Sequence, residues 1–144
     1  MKYHGRKDIA YGLGEYFGAS LLETPYENAD LLIPVPLHPS RQKQRGYNQS
    51  ESIAQGMSSS LKIPVCPNTL VRTRANPTQT RKSGFARWEN VEKIFRVQHP
   101  ERLEGKHLLL VDDVITTGAT LDACANTLQG IPGVRISLAA LACV

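Results

Sequence analysis

The sequence predicts an α/β fold in which a central, mostly parallel sheet is flanked by helices. Leu108-Leu109-Leu110-Val111 is a continuous apolar run, the pattern of a strand buried on both faces of a parallel sheet. Strand-like and helix-like segments alternate along the chain, which is the signature of layered α/β architecture. The length, 144 residues, suits one domain with one core, so residues 1–144 are read as a single domain.

Each element has its own reason. Asp8 to Leu21 carries Ile9, Leu13, Tyr16, Phe17 and Leu21 at helical spacing and reads as an amphipathic helix with those side chains inward. Leu31 to Pro36 is a short apolar run whose two prolines place it at the end of a strand, since proline cannot donate to a ladder. Ser40 to Tyr47 reads as a basic loop. Asn48 then has the character of an N-cap, with Glu51 in the capping-box position, and the helix it opens turns Ile53, Ala54, Met57 and Leu61 inward. Thr69–Arg74 and Ile94–Val97 read as strands flanking a polar loop of roughly 19 residues, a length unusual inside a compact domain and typical of lids or disordered segments. Thr120 to Leu128 is a short helix ended by Gly130 and Pro132, and Ile136 to Val144 is a last apolar strand.

Composition excludes several classes. No apolar run approaches the ~18 residues of a membrane span, and residues 1–7 are polar and not an apolar signal core. A cytoplasmic protein with no membrane association is expected. Cys66, Cys124 and Cys143 are too few and too scattered for a disulfide framework, and no Cys-x-x-Cys exists to suggest a zinc ribbon. The net charge of +4 is unevenly spread. Residues 41–96 hold eleven Lys and Arg against three Glu, a local +8, while each flank is −2. Such a zone suits phosphate, pyrophosphate or nucleic acid, or is simply a solvated basic face.

The richest stretch runs from Leu108 to Thr120. A buried strand brings Asp112 and Asp113 to its carboxyl end, where ligands of open α/β sheets bind. The following turn, Val114-Ile115-Thr116-Thr117-Gly118-Ala119-Thr120, enters a helix, so unpaired amides and the helix dipole both favour an anion there. Gly118 lacks the Cβ that would hold a phosphate off the backbone. The carboxylates would repel that phosphate; they suit vicinal hydroxyls, whose protons they accept. An anion site beside a diol site describes a ribose 5-phosphate. The alternative, a metal site, needs more clustered ligands than two carboxylates. The turn is not a Walker A loop.

This strand-Asp-Asp-x-x-Thr-Thr-Gly-x-Thr pattern resembles the 5-phosphoribosyl-1-pyrophosphate (PRPP) motif of type I phosphoribosyltransferases. The order Lys2-Tyr3-His4-Gly5, Pro34-Val35-Pro36-Leu37-His38, Arg45-Gly46-Tyr47-Asn48-Gln49, then Gln79, Arg87 and Asn90-Val91, is similar to the bacterial ComF family, associated with DNA uptake in competence. The resemblance implies a type I phosphoribosyltransferase fold with a flexible lid loop over 75–90. It implies that Asp112 and Asp113 take the ribose hydroxyls and that Val114 to Thr120 wrap the 5-phosphate. It also implies catalysis by Asp112, Asp113 and Arg45. Contacts to pyrophosphate and from the lid are expected of Arg45, Gly46, Arg72, Arg74, Gln79, Arg81 and Arg87, with Gly84 as a hinge. Arg41 and Lys43 are either contacts or solvated, and Trp88 is either a packing anchor or a stacking platform. Mg²⁺ is the implied cofactor, held mainly by PRPP with no direct protein ligand.

The family pattern usually opens with a four-cysteine zinc module. Here the sequence starts at Met1 without it, as a short homologue or a domain cut from a longer chain. Residues 1–29 are what remains for a residual hood over the acceptor, and they show no base-reading constellation. Three functions therefore compete: a phosphoribosyl transferase, a non-catalytic PRPP- or nucleotide-binding regulator, and an accessory that handles single-stranded DNA. The expected partners are PRPP, single-stranded DNA or competence proteins, and a second copy of the chain in a homodimer.

Overall fold

The computed structural model describes residues 4–37, 39–73 and 94–144. In chain order its elements are α1 (His4–Ser20), β1 (Leu31–Pro34), α2 (Pro39–Arg45), α3 (Gln49–Leu61), β2 (Leu70–Arg72), β3 (Phe95–Val97), β4 (His107–Ile115), α4 (Ala119–Gln129) and β5 (Arg135–Cys143). β1, β4 and β5 form a wholly parallel sheet in the order β1-β4-β5. β2 and β3 form a separate antiparallel ribbon, Arg72 opposite Phe95. The alternating α/β layout expected from the sequence is thus the observed one.

β4 is central, and Leu108, Leu109, Leu110 and Val111 are all fully buried. Successive strand residues point to opposite faces, so this one run feeds two cores. Leu108 and Leu110 pack with Ile33, Leu70, Phe95, Leu121 and Leu128 on the α4 side. Leu109 and Val111 pack with Leu32, Ile53, Met57 and Leu61 on the α3 side. α3 buries the four residues expected of it, and Asn48 caps it. The cap oxygen accepts from Ser50 N, at the second helical position, and not from Glu51 as a capping box requires.

Two expectations are corrected. The basic stretch before Asn48 is no loop: Pro39–Arg45 is a helix, α2, ending at Gly46 with φ +86°. Proline suits the first helical turn, Gln, Lys and Arg are good helix formers, and glycine at the end takes the left-handed conformation. The helix is polar all round, so it has no apolar period for a sequence reading to detect.

The second correction concerns α1. Phe17 and Leu21 do pack inward, but Ile9 is 61% and Tyr16 81% exposed, and Leu13 faces solvent with them. The buried face instead carries Ala10, Gly14 and Gly18. Backbone proximity explains the choice. A Cβ on Gly14 would overlap the Ile53 carbonyl, and one on Gly56 of α3 would overlap the Tyr11 carbonyl. Glycines on both helices let the backbones approach, and Ser60 Oγ reaches Glu15 O across the contact at 2.6 Å.

Gly56→Ala is therefore expected to lower unfolding free energy by about 1–3 kcal/mol through overpacking. Gly12→Ala, on the same helix with open space at its Cβ, is expected to raise it by roughly 0.5–1 kcal/mol. Chemical denaturation of the two variants checks both signs.

Candidate functional site

β4 continues past its apolar run through Asp112 to Ile115, still paired with β5. Asp112 is therefore anchored in the sheet and half-buried. Its Oδ1 accepts from Ser50 Oγ at 3.1 Å and from Asp113 N at 2.8 Å. Asp113 Oδ1 accepts from Val114 N at 2.8 Å. Burial pushes the Asp112 carboxyl up to about 6; the neighbouring Asp113 carboxyl adds to the rise, and the bonds from Asp113 N and Ser50 oppose it. A buried carboxylate is costly to ionise without a cation or hydroxyl donors beside it.

The turn Thr116–Gly118 leads straight into α4. Gly118 is the N-cap at φ +83°, a conformation L side chains rarely adopt, and its open side faces no neighbouring atom. Thr117 Oγ1 accepts from Ala119 N at 3.2 Å. Among the described residues the amides of Thr116, Thr117, Gly118 and Thr120 have no hydrogen-bond partner. Together with Asp112, residues Val114 to Leu121 line a cavity of about 30 Å³, a shallow cup at a helix N-terminus.

Cations converge from another direction. Arg72, at the end of β2, sits 5.7 Å from the centroid of the Phe95 ring, a cation–π distance. Its pKa is lowered first by burial and then by the charge of Arg41 on α2. A guanidinium whose charge is disfavoured by burial and by a second cation gains from an anion beside it. Cys124 lies within reach of both Asp112 and Arg72; burial pushes its thiol up to about 12, which makes it inert. Arg45, the last residue of α2, is exposed and its Nη1 donates to Gln49 Oε1 at 3.5 Å. Asn48 ties the segment after α2 to β1 by donating to Val35 O at 3.0 Å.

The structure thus brings Asp112, Asp113 and the Val114–Thr120 turn together at one sheet edge, with Arg72 nearby. Arg45 and Gly46 lie at the end of α2. Arg74, Gln79, Arg81, Gly84, Arg87 and Trp88 lie outside the described residues. Sequence reasoning missed Ser50, whose bond to Asp112 spans 62 positions, and left open Arg41, whose charge acts on Arg72 in the fold. Nothing local in the sequence marks either contact.

The phosphoribosyl transferase domain family matches residues 34–142. The chain belongs to that family. Relatives agree with the expected competence-family resemblance. DNA utilization protein YhgH of Escherichia coli O157:H7 is 34% identical over 132 residues, 89% of this chain and 57% of that protein. Competence protein F of Haemophilus influenzae is 37% identical over 101 residues, 69% of this chain and 44% of its own length. Competence protein ComFC of Bacillus subtilis is 29% identical over 128 residues, 89% of this chain and 50% of that protein. The chain therefore spans about half the length of these curated relatives. Among solved structures, the allosteric regulatory enzyme of purine biosynthesis superposes with a TM-score of 0.59 at 22% identity, covering 89% of this chain and 25% of that one. A purine phosphoribosyltransferase from Pyrococcus horikoshii gives 0.55 at 19% identity, covering 90% and 70%. At those identities the likeness establishes the phosphoribosyltransferase fold alone.

A raised carboxyl pKa in the folded state means that the fold holds the proton more tightly than the unfolded chain. Its contribution is full below the unfolded value near 3.8 and is lost as pH rises through about 6. Asn can still accept from Ser50 Oγ and Asp113 N. Asp112→Asn is thus expected to raise the melting temperature by a few degrees at pH 8 and to leave it nearly unchanged at pH 4. Calorimetric melts at the two pH values check this.

Proposed function

We propose that this chain binds PRPP with Mg²⁺ at the carboxyl end of β4 and transfers its phosphoribosyl group to a nitrogen nucleophile, releasing pyrophosphate. The observation that carries this reading is the junction of a half-buried, hydrogen-bonded Asp112–Asp113 pair with four amides, in the turn before α4 and its first residues, that have no partner among the described residues. In that reading the amides of Thr116 to Thr120 and the threonine hydroxyls hold the 5-phosphate, and Asp112 and Asp113 accept from the ribose hydroxyls. Asp112 is half-buried, so those two donors offset the cost of its charge.

The bond between C1 and the pyrophosphate oxygen breaks as positive charge grows on the sugar, so cations at the leaving group lower the barrier. Arg45, Gly46 and Arg72 are assigned to that end, and Arg41, whose charge acts on Arg72, is assigned with them. Among the described residues no three His, Cys, Asp or Glu side chains cluster as a metal site. In this reading Mg²⁺ is bound chiefly by PRPP oxygens, with the acceptor oxygens of Asp112 and Asp113 beside it; bound there, the ion would supply electrophilic neutralisation of the pyrophosphate. Residues 75–90, with Arg74, Gln79, Arg81 and Arg87, are assigned to a lid that excludes water, and residues 1–29 to a reduced hood. We take the whole chain as one cytoplasmic domain, able to pair as a homodimer.

A second reading is favoured by two observations: the names of the relatives, and the +8 zone of residues 41–96. In it the chain handles single-stranded DNA, or serves as a PRPP-binding regulator without turnover.

Pyrophosphate release from PRPP, measured over a panel of bases and amines, tests the transfer. Release that needs one acceptor supports it; tight PRPP binding with no release supports the regulator. Asp112→Asn combined with Asp113→Asn is expected to abolish Mg²⁺-dependent PRPP binding in a folded protein, and unchanged calorimetric affinity would contradict the site assignment. Single-stranded DNA is expected to bind weakly, with affinity falling steeply as salt rises. Affinity that stays level between low and high salt would remove the DNA reading.

A further inference from the structure

The acceptor was unreadable in residues 1–29, yet the fold gathers several of them around a second cavity. A cleft of about 530 Å³ lies where α1 meets the end of α2 and the start of α3. That volume is in the range of small-molecule sites. Its lining includes Asp8 and Tyr11 from α1, Tyr47 from the α2–α3 connection, and Glu51, Ser52 and Gln55 from α3. Ser50 points to Asp112. At 100° per residue, Ser52 and Gln55 lie more than a third of a turn round the helix from Ser50. The cleft therefore opens on the far side of α3 from Asp112.

We propose that this cleft is a second ligand site, taking a flat, amino-bearing nitrogen heterocycle of nucleobase type. Two aromatic side chains, Tyr11 and Tyr47, suit the faces of such a ring. Asp8 and Glu51 only accept hydrogen bonds when ionised, so they favour amino or ring N–H donors on the edge they face, while Lys7, also in the lining, can donate to an unprotonated ring nitrogen. Gln55 offers both donor and acceptor. Tyr47 adds an independent sign: its hydroxyl is shut off from solvent and, among the described residues, has no hydrogen-bond partner. Natural structures seldom leave such a group unpaired, and in the proposed site a ligand acceptor takes its proton. This proposal stands whether or not the β4 turn binds PRPP.

Adenine, hypoxanthine and a short oligodeoxyadenylate are the probes, measured by calorimetry on the whole chain. Adenine is expected to bind about tenfold more tightly than hypoxanthine, the worth of one hydrogen bond to a charged group. Glu51→Gln is expected to erase that preference. Tyr47→Phe is expected to weaken adenine severalfold while leaving the melting temperature equal or higher, which a merely structural tyrosine would not do. If the oligonucleotide binds with the same sensitivity to both variants and free adenine does not, the ring comes from a strand. The reverse identifies a free base. Absence of binding by both, indifference to Glu51→Gln, or loss of binding in Asp112→Asn with Asp113→Asn would overturn the proposal; the last would place the base in the β4 site.

Discussion

β4 has no free edge and no exposed face along its apolar run. It is hydrogen-bonded to β1 and β5, and Leu108 to Val111 are fully buried between α3 and α4. Everything chemically distinctive follows from where that strand stops being apolar. The backbone stays in the ladder for four residues more, so Asp112 is held by the sheet and not by a loop. Its carboxyl is consequently half-buried and reluctant to ionise. A site built on a central strand has its geometry set by both cores at once.

That placement creates a local tension of the kind found at functional sites. The sheet holds a carboxyl where its charge is disfavoured, beside a turn in which the amides of Thr116, Thr117, Gly118 and Thr120 have no partner among the described residues. The two halves address different parts of a ligand, since the carboxylates accept hydrogen bonds and the free amides donate them. A ligand with hydroxyls at one end and a phosphate at the other satisfies both. Arg72 extends the same logic, since a half-buried cation whose charge is disfavoured by burial and by Arg41 is relieved by an anion beside it.

Much of this was legible beforehand, and the reason is physical. The Leu108–Val111 strand shows itself because burial on both faces demands an unbroken apolar run. The Asp112–Thr120 turn is a local arrangement, so its residues are neighbours in the chain. α3 was legible from Asn48 and its apolar period. What stayed hidden was tertiary or lacked hydrophobic signal. α2 is polar on every side. α1 buries glycines, which carry no apolar period, and leaves Ile9, Leu13 and Tyr16 outside. The Ser50–Asp112 bond and the effect of Arg41's charge on Arg72 join distant segments, and so does the cleft between α1 and α3.

The central claim is that the β4–α4 turn is an anion cradle beside a hydroxyl-accepting carboxylate pair. Backbone amide NMR during titration with ribose 5-phosphate tests it most directly. The account predicts that the amides of Thr116, Thr117, Gly118 and Thr120 move downfield together and saturate at one affinity, with Asp113 shifting in step. Shifts confined to other residues, or an unperturbed turn at saturating ligand, would contradict it.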